Sequence, residues 1–124
     1  MPVTAIKGFI NQTQYPVEVK DHEDPTKPGH YLQLKAREGK PCDMWVPWCS
    51  SSTDFLGAHY ITVQFNNTSP PTKIWIWQRD GKVEATSTES FSAPRRSSRR
   101  DVQEGGNRVV VLSALRVADF YPIS

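Results

Sequence analysis

The chain lacks any run approaching the roughly 18 consecutive apolar residues of a membrane-spanning helix. Its opening, Met1-Pro-Val-Thr-Ala-Ile-Lys-Gly8, also lacks the basic start and long apolar core of an export signal, so a cytoplasmic protein is expected. Cysteine is scarce: Cys42 and Cys49 are the only two in 124 residues. Compartment governs thiol state more than spacing does, so two reduced, partly buried thiols are expected rather than a disulfide. On the same ground Asn11-Gln-Thr13 and Asn66-Asn-Thr68, which match glycosylation acceptors, are read as turn residues.

Catalytic and cofactor signatures are missing too. There is no Gly-x-Ser-x-Gly elbow, and Gly105-Gly106 lacks the lysine and helix start of a phosphate loop. Cys42 or Cys49 could meet His22, His30 or His59 only through tertiary proximity, and Asp43 with Asp54 reads no differently from ordinary loop acids. Asp21-His22-Glu23-Asp24 with His30 offers oxygen and imidazole ligands but meets no metal-loop spacing. No enzyme, cofactor or metal is expected. The formal charge of +2 is too mild to imply nucleic acid, and no recognition helix, zinc-finger spacing or aromatic RNA-binding signature appears.

What the chain does have is period-two patterning. Strands are expected over Ala5–Ile10, Tyr15–Lys20, Tyr31–Ala36, Tyr60–Phe65, Lys73–Gln78, Lys82–Thr86 and Arg108–Val117. No stretch makes an amphipathic helix. Pro16 cannot donate to a ladder, which predicts an edge strand or a bulge for Tyr15–Lys20. Asp80-Gly81 accepts the positive φ angles of a tight hairpin and should join Lys73–Gln78 to Lys82–Thr86. Glu104-Gly105-Gly106-Asn107 is a second turn, feeding the β-branched Arg108–Leu112 run of a central strand covered on both faces. These signals predict one all-β domain over 1–124, an antiparallel β-sandwich or small barrel of about seven to eight short strands. The segment 86–106 reads as a flexible loop.

Aromatic residues supply the candidate site. Trp45 and Trp48 lie in Cys42-Asp-Met-Trp-Val-Pro-Trp-Cys49, where Pro47 stiffens two indoles that either plug one end of the sandwich or form an apolar platform with a hydrogen-bonding edge. As a platform they would stack on a sugar ring, with Asp43, Asp54 and His59 as polar partners. Trp75 and Trp77 share one strand face with Arg79, and are expected in the core unless that face is open. An open face would make them, with Glu84 or Thr86, an aromatic and polar strip. Arg95, Arg96, Arg99 and Arg100 place four guanidinium groups within six residues, a solvated loop or an anion clamp.

The preferred expectation is a non-enzymatic, lectin-like module that binds carbohydrate through the Trp45–Trp48 loop. One alternative is a membrane-surface or pore-forming module, with Trp45, Val46 and Trp48 at the lipid and the arginine loop on anionic head groups. Another is an interaction protein that forms a homo-oligomer through Trp75 and Trp77.

Overall fold

The computed structural model describes residues 3–23, 26–27, 30–66, 71–89, 91–92 and 103–123. Among them the chain runs through β1 (Thr4–Asn11), β2 (Val17–Asp21), β3 (Tyr31–Leu34), β4 (Gly39–Trp45), α1 (Ser52–Leu56), β5 (Ile61–Phe65), β6 (Thr72–Arg79), β7 (Lys82–Thr86), β8 (Gly106–Ala114) and β9 (Val117–Ile123). Two sheets result, ordered β4-β1-β8-β9 and β3-β2-β5-β6-β7, and they stack as a small β-sandwich.

Alternation places the core as the patterning predicts. Val17 and Val19, Ile61, Val63 and Phe65, and Ile74 and Ile76 line the inner face of the five-stranded sheet. Ile6, Phe9, Met44, Val110, Leu112 and Phe120 answer from the other sheet. Fully burying one such side chain contributes about 1.5–3 kcal/mol, so this inter-sheet layer supplies most of the driving force. The Asp80-Gly81 turn also forms as expected: Arg79 pairs with Lys82 across it, with φ of 51° at Asp80 and 81° at Gly81.

Several expectations need correction. Among the described residues nine strands form, in keeping with the about seven to eight expected, and their bounds differ in places. β4 carries Gly39, Lys40 and Pro41, which hide its alternation, and it sits at a sheet edge where proline is tolerated. The Arg108–Val117 run is two strands, because Leu115-Arg116 turns back with Arg116 at φ 63° and Ala114 opposite Val117. That turn has no glycine or asparagine to announce it. The antiparallel reading holds for every strand pair except one, since β8 lies parallel to β1. Val109 and Val111 on β8 are only half-buried, so that central strand is not fully covered on both faces. Pro16 does not mark an edge. β2 lies between β3 and β5, and Pro16 sits just outside it, its carbonyl accepting from Asn66 N at 2.8 Å. The five-residue α1 is too short to show a helical period. Its signal is instead a capping arrangement: Ser51 Oγ accepts from Asp54 N, and the Asp54 carboxylate accepts from Ser50 N and Oγ.

Asn11 ties the strand ends together. Its buried amide donates to the carbonyls of Tyr15 at 2.7 Å and Lys35 at 3.1 Å, while Oδ1 accepts from Thr13 N and Oγ1. All four of its bonding positions are used, so the first glycosylation-like triplet is a structural turn, as read from the sequence. The second triplet includes residues 67 and 68, which lie outside the described residues.

Removing this hub leaves buried polar groups without partners, each of which costs about 1–3 kcal/mol. Asn11→Ala is therefore expected to lower the unfolding free energy measured by urea titration by at least that much, whereas Gln12→Ala on the exposed neighbour changes it by less than about 0.5 kcal/mol.

Candidate functional site

The chain leaves β4 at Trp45 and crosses from one sheet to the other. Val46 and Pro47 are buried, Pro47 O accepts from Gln78 N at 2.9 Å, and Cys49 N donates to Gln78 O at 3.1 Å. This crossing separates the two indoles. Trp45 stands opposite Ala5 on the outer side of an edge strand and is 61% exposed. Trp48 is half-buried in a parallel bridge beside Gln78 on β6, and its Nε1 has no partner among the described residues. The two do not form one platform, and the expected Trp45–Trp48 loop is corrected to a single exposed indole.

Trp45 rims a cleft of about 240 Å³ lined by Asp21, Glu23, Lys27, His30 and Asp43. Asp43 precedes it by two residues, which puts both side chains on the same strand face. Lys7 Nζ donates to Asp43 Oδ1 at 2.8 Å, and that hydrogen bond together with the ammonium charge holds the carboxyl below its usual range. The far wall comes from the end of β2 and the start of β3. There Asp21 and His30, both nearly buried, approach to 3.3 Å, and Asp21 Oδ1 accepts from Glu23 N at 3.0 Å. Glu23 Oε2 lies 2.9 Å from His59 Nδ1.

Each carboxylate is thus oriented by a base behind it. Asp43 Oδ2 and Glu23 Oε1 have no hydrogen bond among the described residues, and the Lys27 ammonium adds its charge to that of Lys7 on Asp43. An exposed indole beside two open acceptors and one donor suits a hydroxyl-bearing ring.

The other expected partners lie elsewhere. His59 reaches the cleft only through Glu23. Asp54 is occupied as the cap of α1, and its bonds from Ser50 hold its carboxyl low. It takes no part in the cleft lining. The Trp75, Trp77 and Arg79 strip is closed rather than open. Trp77 is fully buried beneath Phe55, Cys49 and Phe91, with ring centroids 5.2 Å from Phe55 and 6.2 Å from Phe91. Trp75 packs half-buried against this cluster, and the Arg79 guanidinium lies 4.4 Å from the Phe91 centroid. Arg95, Arg96, Arg99 and Arg100 lie outside the described residues.

His22 turns away from Asp21 and meets Thr62 Oγ1 at 2.7 Å; burial and the nearby Lys20 and Lys73 lower its pKa. Among the described residues, no three His, Cys, Asp or Glu side chains are grouped to hold a metal ion. What sequence reasoning missed is Lys7, Glu23, Lys27 and the Asp21–His30 pair as neighbours of Trp45, a juxtaposition made only by tertiary packing.

Two further depressions lack this combination. A groove of about 490 Å³ runs beside β2 and β3, where Lys40 Nζ donates to Gln33 O and Glu38 Oε1 accepts from Lys35 N; no aromatic side chain lines it. A cleft of about 360 Å³ lies over α1, lined by Phe55, Leu56, Tyr60, Glu89 and Phe91 with two serines. No helix among the described residues is long and apolar enough to cross a membrane. Comparison with protein-family models, curated proteins and solved structures finds no match for the chain.

Both thiols are free, and each donates to a carbonyl: Cys42 to Ile6 O at 3.3 Å, Cys49 to Ser51 O at 3.8 Å. Burial first, then a neighbouring aspartate, pushes Cys42 up to about 12 and Cys49 up to about 11. At pH 8 the native thiolate fractions are then on the order of 10⁻⁴ and 10⁻³, against roughly a tenth in an unfolded chain. Alkylation by iodoacetamide at pH 8 is expected to run at least about a hundredfold slower in native protein than in denaturant. Because the folded values are raised, these groups contribute stability below about pH 9 that is lost as pH climbs toward 11 and 12. A urea midpoint that holds steady from pH 8 to 10.5 would contradict this.

Proposed function

We propose that the protein is a non-enzymatic, cytoplasmic carbohydrate-binding module whose ligand stacks on Trp45 and bonds to Asp43, Glu23 and Lys27. The observation that supports this reading is the Trp45 indole, 61% exposed at the rim of a cleft that offers open carboxylate oxygens. Stacking against the indole face removes apolar C–H surface of a pyranose from water, and the carboxylates accept hydrogen bonds donated by its hydroxyls. A shallow cleft of this volume holds one sugar residue, with the remainder of an oligosaccharide running along the outer face of β4.

A binding role also accords with the thiols. Their raised pKa values and carbonyl partners are the reverse of what a nucleophilic cysteine needs, and two unpaired cysteines fit a reducing compartment. The membrane reading loses support for its insertion loop, since Val46 is buried and Trp48 is half-buried with its Nε1 covered. The oligomer reading loses Trp77 as an interface residue, because that side chain is already covered within its own chain.

A glycan array with wild type, Trp45→Ala and Trp48→Ala tests the assignment. Trp45→Ala should lose about tenfold or more in affinity while its thermal midpoint stays near wild type, as truncating an exposed stacking residue removes contact without opening the core. Trp48→Ala should lower the midpoint and keep sugar binding in its folded fraction. Equal binding by wild type and Trp45→Ala, or binding to no glycan, would refute the reading.

A further inference from the structure

We propose that the outer face of the four-stranded sheet is the interface of a homodimer, in which two copies of the chain stack face to face. Such a dimer is independent of carbohydrate binding in the Trp45 cleft.

Alternation along the strands decides which side chains form this face. Phe9, Val110, Leu112 and Phe120 point into the core, so their neighbours Ile10, Val109, Val111 and Tyr121 point outward, and Ile123 shares the face of Tyr121. The register makes these residues contiguous: Ile10 lies beside Val111, Val109 beside Tyr121, and Ile123 pairs with Asn107 at the end of the same two strands. Of seven exposed large apolar side chains among the described residues, Ile10, Tyr121, Ile123 and Trp45 lie on this one face. The other sheet supplies the contrast, because the outward residues of β2 and β5 are Glu18, Lys20, Thr62 and Gln64. That is how a sheet face reads against water, whereas β8 with Val109-Val110-Val111 is apolar on both sides. A contiguous apolar patch of several hundred Å² marks an interaction surface.

Charge, extent and the sheet's edges select a second copy as the occupant. Charged groups on the face are few and already engaged: Lys7 Nζ lies 2.8 Å from Asp43, and Asp119 is nearly buried. A fitting partner is apolar and uncharged, which describes the same face on another copy. An anionic lipid surface is drawn instead by a cluster of cations, which this face does not carry among the described residues. Four strands about 4.8 Å apart and about eight residues long, at about 3.3 Å each, give roughly 500 Å² in projection on each copy. Two copies then bury roughly 1,000 Å² before side-chain relief is counted, which is where specific interfaces begin. Edge-to-edge pairing is disfavoured, since both edge strands carry a proline that donates no hydrogen bond to an added strand, Pro41 in β4 and Pro122 in β9. Stacking about a two-fold axis sets the branched side chains of one copy between those of the other. Trp45 stands at a corner of the face on an edge strand, and its cleft takes the far wall from the other sheet, so the cleft opens at the side of the sandwich.

Sedimentation equilibrium of the full chain across the micromolar range tests the interface. The mass is expected to rise with concentration from 14.1 kDa toward twice that value. Ile10→Lys and Ile123→Lys each place a charge twice in a two-fold contact and should raise the dimer Kd by at least about tenfold while the circular dichroism spectrum stays that of wild type. Tyr31→Lys, at an exposed position on the outer face of the other sheet, should leave the Kd unchanged. Should Ile10→Lys fail to fold, Ile123→Lys at the end of β9 decides alone. A chain that stays at 14.1 kDa throughout, a dimer that both lysine variants on the face leave intact, or one that Tyr31→Lys dissolves overturns the assignment. A monomer that pellets with phosphatidylcholine vesicles gives the face to lipid and overturns it as well.

Discussion

β6 is apolar on both sides, and most of the molecule is arranged around covering it. Ile74 and Ile76 are satisfied by the opposing sheet, but Trp77 points the other way, and an indole left on a sheet surface would expose some of the largest apolar area in the chain. The segment between β4 and β5 supplies the cover. It brings Cys49, Phe55 and Tyr60 over Trp77, and Phe91 closes the cluster from beyond β7. To do so it must leave the first sheet and travel to the far side of the second, which it achieves by bonding to the backbone of Gln78 on both sides of Trp48. The consequence for the surface follows directly. Trp45 is the last residue before the crossing and stays on the outside of the first sheet, while Trp48 is the first residue committed to the second.

The charged pairs at the cleft belong to orientation more than to stability. Asp43 and Lys7 are solvent-exposed, and such pairs contribute about 0–1 kcal/mol. The Glu23–His59 pair is similarly open to water. Only Asp21–His30 is buried, and there the desolvation of both groups offsets much of their attraction. What these contacts do is restrict three otherwise mobile carboxylates to one arrangement each. The cleft also draws its two walls from different sheets, so its shape depends on the inter-sheet core rather than on any single loop.

Much of the fold was legible because alternation and turn chemistry act locally. Tyr15–Lys20, Tyr60–Phe65 and Lys73–Gln78 show period-two patterns, and Asp80-Gly81 requires the backbone angles that only a few residue types accept. Where those signals failed, the reason is physical. β4 is an edge strand that tolerates Pro41, the β8–β9 turn places a non-glycine residue at positive φ, and the parallel pairing of β8 with β1 joins segments nearly the whole chain apart. The site was legible to the extent that it is local: Asp43 and Trp45 share a face by their spacing alone. Asp54, His59 and Trp48 were grouped with them by nearness in sequence, and the crossing between sheets dispersed that group. Glu23 and Lys27, more than fifteen residues away along the chain, came in their place.

Among the described residues, Trp45 at 61% exposure and Leu56 at 87% are the most exposed large apolar side chains. Exposure alone does not distinguish them, since single exposed hydrophobic residues are ordinary on soluble domains. Their surroundings do. Leu56 ends a five-residue helix whose role is to carry Phe55 inward, and its own position beyond Phe55 is the geometric remainder of that task. Trp45 serves no such neighbour: the residue that β4 contributes to the core at this level is Met44, and an alanine or threonine at 45 would maintain the strand. An indole there leaves apolar area in water without a packing return. A local rule broken without structural gain sets Trp45 apart from Leu56, and Asp43 and Glu23 line the same cleft beside it.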